Sequence, residues 1–188
     1  MNTEETILDD SFEKSEEVVY ATFWQRVGAS FLDGLILSPV SIGLTFYSLI
    51  YLKSFALGLL PSVITLLYKV WMEQHYGATL GKQIVGIRVA DYSLQNISYS
   101  QSFTRNYFYM FSLILALFQH IDMYSVEAFQ SADTFFKIVE VQKLQSPLLS
   151  GVNTTFSMLF LIDCLFMLSD DQKRTFHDRW AKTIVIKK

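Results

Sequence analysis

The chain has 188 residues, of which 51% are hydrophobic and 18% are charged; this length fits one domain, and the composition is too apolar for an extended disordered protein. The net charge of −3 offers no basic surface for a run of phosphates, so nucleic-acid binding is disfavoured. A single cysteine, Cys164, excludes an internal disulfide and a paired-cysteine metal or redox site.

The first segment of the chain is acidic. Acidic side chains recur through residues 1–18, so this segment lacks the basic start of a cleavable signal peptide. We interpret it as a solvated cytoplasmic tail. Residues 19–188 are expected to form one membrane domain, which begins with the interfacial aromatic residues Tyr20, Phe23 and Trp24.

Charged residues are clumped along this domain, and long, almost uncharged segments separate the clumps. Because a helix needs about 20 mainly apolar residues to cross a hydrocarbon core about 30 Å thick, these segments predict transmembrane helices. The predicted spans are about 30–52, 54–72, 105–124 and 148–169. The third is the weakest, since Gln119, His120 and Asp122 lie near its end.

The distribution of positive charge predicts the orientation. If both termini lie inside, Lys53, Lys137 and Lys143 are the only ones of the 15 Lys and Arg residues that lie outside. Cytoplasmic flanks are enriched in positive residues, so we expect an integral protein of the cell inner (plasma) membrane with both termini in the cytoplasm. Residues 125–147 then form an outer loop, which includes an amphipathic helix and whose role the sequence does not define.

Two cytoplasmic segments are predicted to form strands. Residues 84–89 and 183–186 are rich in β-branched side chains. Their pairing would fasten the end of the chain beneath the bundle; an interfacial helix or a disordered tail is the alternative. The expected fold class is therefore an all-α membrane protein of four transmembrane helices with a small cytoplasmic two-stranded β element.

Three motifs, at residues 23–33, 77–89 and 175–183, resemble the RDD family of small integral membrane proteins. That family is named for an Arg at the start of its first span, an Asp inside that span and a second Asp at a more variable position. Arg26 and Asp33 match the first two, and the third is either Asp163 or Asp178. The cytoplasmic motif positions that share the resemblance are Gly77, Gly81, Lys82, His177, Asp178 and Arg179.

The resemblance implies a limited set of roles. Some members of the family are implicated in monovalent cation/proton exchange, others look like accessory or assembly factors of membrane complexes, and most have no established biochemical role. The expected partners are therefore the lipid bilayer, H+ with Na+, K+ or Li+, and a homo-oligomer or a membrane-complex partner. A transporting form is expected to be an oligomer, because four spans are few for a complete path.

Two acids inside the predicted spans define the candidate site. An ionised Asp at mid-bilayer depth costs roughly 2.5–3.5 kcal/mol, so an acid that is kept there is a functional candidate. At 1.5 Å per residue, Asp33 and Asp163 both lie about 10 Å from the cytoplasmic face. We expect one inward-facing cluster of Arg26, Asp33, Arg105 and Asp163, with Glu73 at its rim.

This cluster has two interpretations. Two acids and two guanidinium groups can form a charge-neutral clamp that fixes helix register without any substrate, which suits a scaffold or assembly factor. Cation/proton transport instead needs at least one Asp that is left underpaired, so that it can exchange a proton for a cation.

The first span also carries small and hydroxyl-bearing residues at intervals of three or four, a set called here the α1 stripe. Its members are Ser30, Gly34, Ser38, Ser41, Thr45 and Ser48. Small residues let helices approach and hydroxyls can bond across a helix pair, so the pattern predicts a helix-packing seam; a hydrated path outward from Asp33 is the alternative.

Two motifs resemble catalytic signatures but lack their context. The segment 77–82 misses the register of a phosphate-binding loop because Gln83 follows Lys82, so we interpret it as a turn. The pair His177 and Asp178 resembles the core of a hydrolase metal motif, but no further His or carboxylate constellation accompanies it. The sequence therefore predicts no enzyme activity, no cofactor and no metal.

Overall fold

The computed structural model describes residues 18–142 and 147–188, so the predicted acidic tail lies outside the described residues up to residue 17. Within the described residues the helices are α1 (Phe23–Tyr47), α2 (Phe55–Tyr76), α3 (Leu80–Val85), α4 (Tyr99–Arg105), α5 (Tyr107–Ser125), α6 (Glu127–Ser131), α7 (Phe135–Gln142), α8 (Pro147–Phe166) and α9 (Phe176–Trp180). The strands are β1 (Ile87–Asp91) and β2 (Thr183–Lys187), a π-helical turn (Ser48–Leu52) extends α1, and a 3-10 turn (Met167–Ser169) extends α8.

Three helices of the described residues are long and apolar enough to cross a membrane. They are Phe23–Leu52, Phe55–Tyr76 and Pro147–Ser169. The membrane class of the fold is thereby confirmed, but a fourth span at 105–124 is not. Helix α5 occupies that segment, and Gln119, His120 and Asp122 near its end lower its hydropathy.

Helix α1 begins earlier than the predicted residue 30 because Thr22 caps it. The Thr22 hydroxyl accepts a hydrogen bond from the Gln25 amide at 3.3 Å, and the Gln25 side chain accepts one from the Thr22 amide at 3.0 Å. This reciprocal pair satisfies two donors that a helix start otherwise leaves free. As a result, Arg26 lies in the first turn of α1.

The predicted strand pairing is confirmed, with one boundary corrected. Strands β1 and β2 pair antiparallel, with Val89 opposite Val185. Ile84 and Val85, predicted as strand, instead complete α3, because Thr79 caps the start of that helix and Gly86 ends it with a φ of 73°. Residues 18–21 lie along β2 on the side away from β1, where the Ala21 amide donates to the Val185 carbonyl at 2.9 Å.

The end of the bundle that carries these strands is called here the sheet end. Helix α3 packs directly on α1 there, through Gly81. A Cβ at Gly81 would lie 2.1 Å from the Ala29 carbonyl oxygen and 2.9 Å from the Asp33 amide. Only glycine permits this approach, and the contact brings the segment between α2 and β1 against α1.

The opposite end of the bundle is called the Lys53 end, and helices α6 and α7 cover it. These two short helices replace the one amphipathic helix that was predicted, and they bury Phe129 and Ile138. Lys53, with a φ of 46°, donates to the Ala132 carbonyl and lies 4.4 Å above the Phe129 ring. Burial lowers the pKa of Lys53.

Candidate functional site

Asp178, in α9, is the centre of a buried charged network at the sheet end. Its side chain has no exposed surface, and it accepts hydrogen bonds from the guanidinium groups of Arg26 and Arg105. The Thr175 amide donates to it at 3.2 Å. Burial by itself would raise the pKa of Asp178, but the charges of Arg105 and Arg26 outweigh it and hold the pKa well below its usual range.

Glu73, near the end of α2, is the second acid of the network. Arg105 reaches it with Nε at 3.3 Å, and Asn106 donates to it at 3.1 Å. Lys82 of α3 forms an ion pair with it. Burial lowers the pKa of Lys82 to about 8, although the charge of Glu73 opposes that shift.

Asp33 is held by α2 and by the segment that follows it. One carboxylate oxygen accepts from the Tyr68 hydroxyl and from the Gly81 amide, each at 2.8 Å, and the other accepts from the Thr79 hydroxyl at 2.6 Å. Lys69 Nζ adds an ion pair at 3.7 Å. These hydrogen bonds and the ion pair compensate the buried charge of Asp33.

Asp163 is the only buried residue of α8, and its partner is His177 of α9. The His177 amide donates to one carboxylate oxygen at 3.0 Å, and the imidazole Nδ1 bonds to the other. The second ring nitrogen of His177 lies 3.6 Å from Asp178. This imidazole therefore connects Asp163 to the network around Asp178.

The predicted cluster residues are brought to one end of the bundle, but with other partners. Both Arg26 and Arg105 bond to Asp178, and within residues 18–142 and 147–188 neither guanidinium group bonds to Asp33 or Asp163. The single cluster expected from the sequence, of Arg26, Asp33, Arg105 and Asp163 with Glu73 at its rim, is thus corrected to four acid centres. Asp178 and Glu73 share Arg105, whereas Asp33 and Asp163 have other donors. Burial explains this difference in partners, because each buried carboxylate bonds to the donors that lie nearest to it in the folded chain.

The other predicted positions have local roles. Gly77 ends α2 with a φ of 67°, and Arg179 forms an ion pair with Asp170. Of the α1 stripe, Ser48 is buried and donates to the Ser54 carbonyl at 2.7 Å. Gly34 is exposed, with no atom within 4 Å of where its Cβ would be. At Gly34 the stripe therefore meets no other helix among residues 18–142 and 147–188.

Sequence reasoning did not single out Tyr68, Thr79 or Asn106, because uncharged hydrogen-bond donors carry no visible signal along the chain. The charge of Lys69 was visible, but it served only to predict the orientation. The contact of Asp178 with Thr175 had one visible signal in the sequence. Thr175 and Asp178 have the spacing of a helix capping box, which the structure contains.

A cavity of about 300 Å³ lies beside the network, between the sheet-end halves of α1 and α8. Its charged lining is mainly basic and its walls are apolar. The lining includes Arg26, Lys69, Glu73, Lys82, Arg105, His177, Val27, Phe108, Phe160 and Leu161. Among the residues that the structure describes, no three His, Cys, Asp or Glu side chains are grouped as metal ligands.

Apolar spanning helices, a buried charged network at their sheet end and a small sheet beneath it define a small integral membrane protein. The chain belongs to the RDD family, whose sequence model matches residues 20–182. That match includes all four acid centres and both guanidinium partners. Searches of curated proteins and of solved structures gave no match.

Proposed function

We propose that the protein is a non-catalytic membrane scaffold or assembly factor, in which the charged network acts as a structural clamp. One observation carries the proposal: each of the four acid centres already has donors from its own chain. Asp178 has two guanidinium groups, and Asp33 has two hydroxyls, an amide and a lysine. Carboxylates held in this way are poorly suited to exchanging protons for cations.

The clamp joins distant parts of the chain into one surface. Arg26 belongs to α1, Glu73 to α2 and Arg105 to α4, while Asp178 follows α8. Removal of one partner would leave an uncompensated buried charge, so the connections are strongly coupled. The result is a rigid sheet-end surface on which a membrane-complex partner can dock.

Helix α5 completes four spans in this proposal, because it runs antiparallel to α2 along its whole length. At the sheet end, Lys69 of α2 lies 4.8 Å from the Tyr109 ring of α5. At the Lys53 end, the rings of Phe55 and Tyr124 are 5.7 Å apart. An even number of spans places residues 18–21 and β2 together in the cytoplasm, and the positive residues with them.

The scaffold role is tested by purification from native membranes after cross-linking. We expect wild-type protein to retain a membrane-complex partner, and Asp178→Asn to lose it or to fall in abundance. Asp133→Asn is the control, because its ion pair with Lys137 is exposed. Recovery of the wild-type chain without any partner would contradict the scaffold role.

Cation/proton exchange is the second candidate, and the Asp163–His177 pair favours it. The main partner of Asp163 is the imidazole of His177, a side chain that proteins use as a proton shuttle, and His177 lines the cavity. A pH gradient across proteoliposomes should then drive Na+, K+ or Li+ flux in an oligomeric form. Asp163→Asn should abolish that flux and Asp133→Asn should not, and absence of flux from the wild type would remove this candidate.

A further inference from the structure

The cavity between α1 and α8 has a basic floor. Arg26, Lys69, Lys82 and Arg105 line it, and Glu73 is the single carboxylate in the described lining. The carboxylates of Asp33, Asp163 and Asp178 do not line it, but two of them pair with these cations. Asp178 is shared by Arg26 and Arg105. Lys69 pairs with Asp33 and Lys82 with Glu73, so four cations have three carboxylate partners. The floor therefore presents more positive than negative charge to whatever occupies the cavity.

The floor contains a hydrogen-bond donor that has no acceptor. Arg26 Nε is buried and has no hydrogen-bond partner. Lys69 is 8% exposed, and its neighbours are Asp33 at 3.7 Å and the Tyr109 side chain. Because unsatisfied buried donors are unfavourable, the floor suits a ligand with anionic oxygen acceptors, such as a phosphate group.

The walls of the cavity are apolar and open toward lipid. Phe160 and Leu161 of α8 form one side, and Val27 and Ser30 of α1 form the other. Leu161 and Ser30 are exposed in the isolated chain. A ligand that fits both the floor and the walls is an amphiphile with an anionic head and an apolar tail.

The α1 stripe continues from this opening along the helix. Ser30 lines the cavity, and Ser41 and Thr45 line a second cavity of about 310 Å³ toward the Lys53 end. From Ser30 to Ser41 is about 16 Å at 1.5 Å per residue, close to half of a hydrocarbon core about 30 Å thick. The distance between the two cavities along α1 is therefore comparable with an acyl chain that crosses one leaflet.

We propose that this cavity binds an anionic phospholipid, with the phosphate of its headgroup at the basic floor and one acyl chain along the α1 stripe. The proposal rests on the cavity and its charges and is independent of the scaffold role. An apolar helix from a second copy would fit the stripe, but it would offer no acceptor to the buried Arg26 Nε and no charge opposite to the net positive charge of the floor. Charge complementarity therefore favours the lipid.

The test uses the full chain in nanodiscs with spin-labelled phosphatidylglycerol or spin-labelled phosphatidylcholine. We expect the wild type to immobilise the anionic lipid in preference to the zwitterionic one, by roughly tenfold in relative affinity. Ser30→Trp should fill the opening and remove the preference. Leu35→Trp, at an exposed site of the same helix, should leave it intact.

Several results would overturn the proposal. These are equal association of the two lipids, a preference that survives Ser30→Trp, displacement of the lipid by millimolar glycerol phosphate, and a chain dimer that Ser30→Trp disrupts. Circular dichroism and elution volume establish that each variant is folded. If Ser30→Trp fails that check, Leu161→Trp on the opposite wall replaces it with the same expected loss.

Discussion

Asp178 compensates two buried guanidinium groups, so its replacement tests the clamp at the scale of one residue. In Asp178→Asn, Arg26 and Arg105 lose their shared carboxylate, and removal of one member of a buried ion pair typically costs about 3–5 kcal/mol. We expect a fall of that size in the free energy of unfolding in detergent, measured by denaturant titration. Asp133→Asn should change it little, and equal losses in the two variants would contradict the clamp.

Lys82 gives a pH-dependent prediction. Its pKa is about 8 in the folded protein against an ordinary value of 10.5, so between these values the unfolded chain binds the proton and the folded chain does not. Stability contributed by this group therefore rises with pH from about 8 to 10.5. We expect the melting temperature of the wild type to rise relative to that of Lys82→Met across this window, whereas parallel curves would contradict the assignment.

The acids and the guanidinium groups of the site could be predicted from sequence, but their pairing could not. Arg26, Asp33, Glu73 and Arg105 stand out because a charge in or beside an apolar segment is visible along the chain. The contact of Arg26 with Asp178 joins positions 152 apart, which no local pattern reports. Asp33 is bound partly by a backbone amide, a donor that almost every residue has.

Gly81 provides a prediction at the scale of an element, because it sets the distance between α3 and α1. In Gly81→Ala the new methyl group would meet backbone atoms at 2.1 and 2.9 Å, so α3 must move and Asp33 must lose the Gly81 amide. We expect a lower melting temperature and faster hydrogen exchange through α3.

Gly34→Ala is the matched control on α1. No atom lies within 4 Å of the Cβ it would add, and alanine is favoured over glycine in a helix by about 1 kcal/mol. We therefore expect unchanged or slightly higher stability. Equal damage from the two substitutions would contradict the close approach of α3 to α1.

Elements were predictable where one physical signal dominated. Hydropathy located α1, α2 and α8, and β-branched side chains located β1 and β2. The signals failed where two competed: Ile84 and Val85 have strand-like side chains, but the caps at Thr79 and Gly86 make them helical. Hydropathy alone does not class α5 with the spanning helices, because Gln119, His120 and Asp122 lie near its end.

The number of spans is a prediction at the scale of the whole molecule. In a Cys164→Ala background, Ser93→Cys lies between α2 and α5, and Ser131→Cys lies after α5. If α5 crosses the bilayer, a membrane-impermeant maleimide labels the second variant in intact cells and the first only after permeabilisation. Labelling of both from the same side would show that α5 does not cross.

Segments distant in the sequence meet in the sheet, where residues 18–21 lie along β2. The Lys187 amide donates to the Val19 carbonyl at 2.9 Å, and Arg26 bonds to Asp178 across a similar separation in the sequence. A ribosome releases the first of these segments long before the second, so the early helices must enter the membrane with Arg26 still lacking its carboxylate. We therefore expect maturation of this protein to be completed by a late closing event, in which Asp178 reaches Arg26.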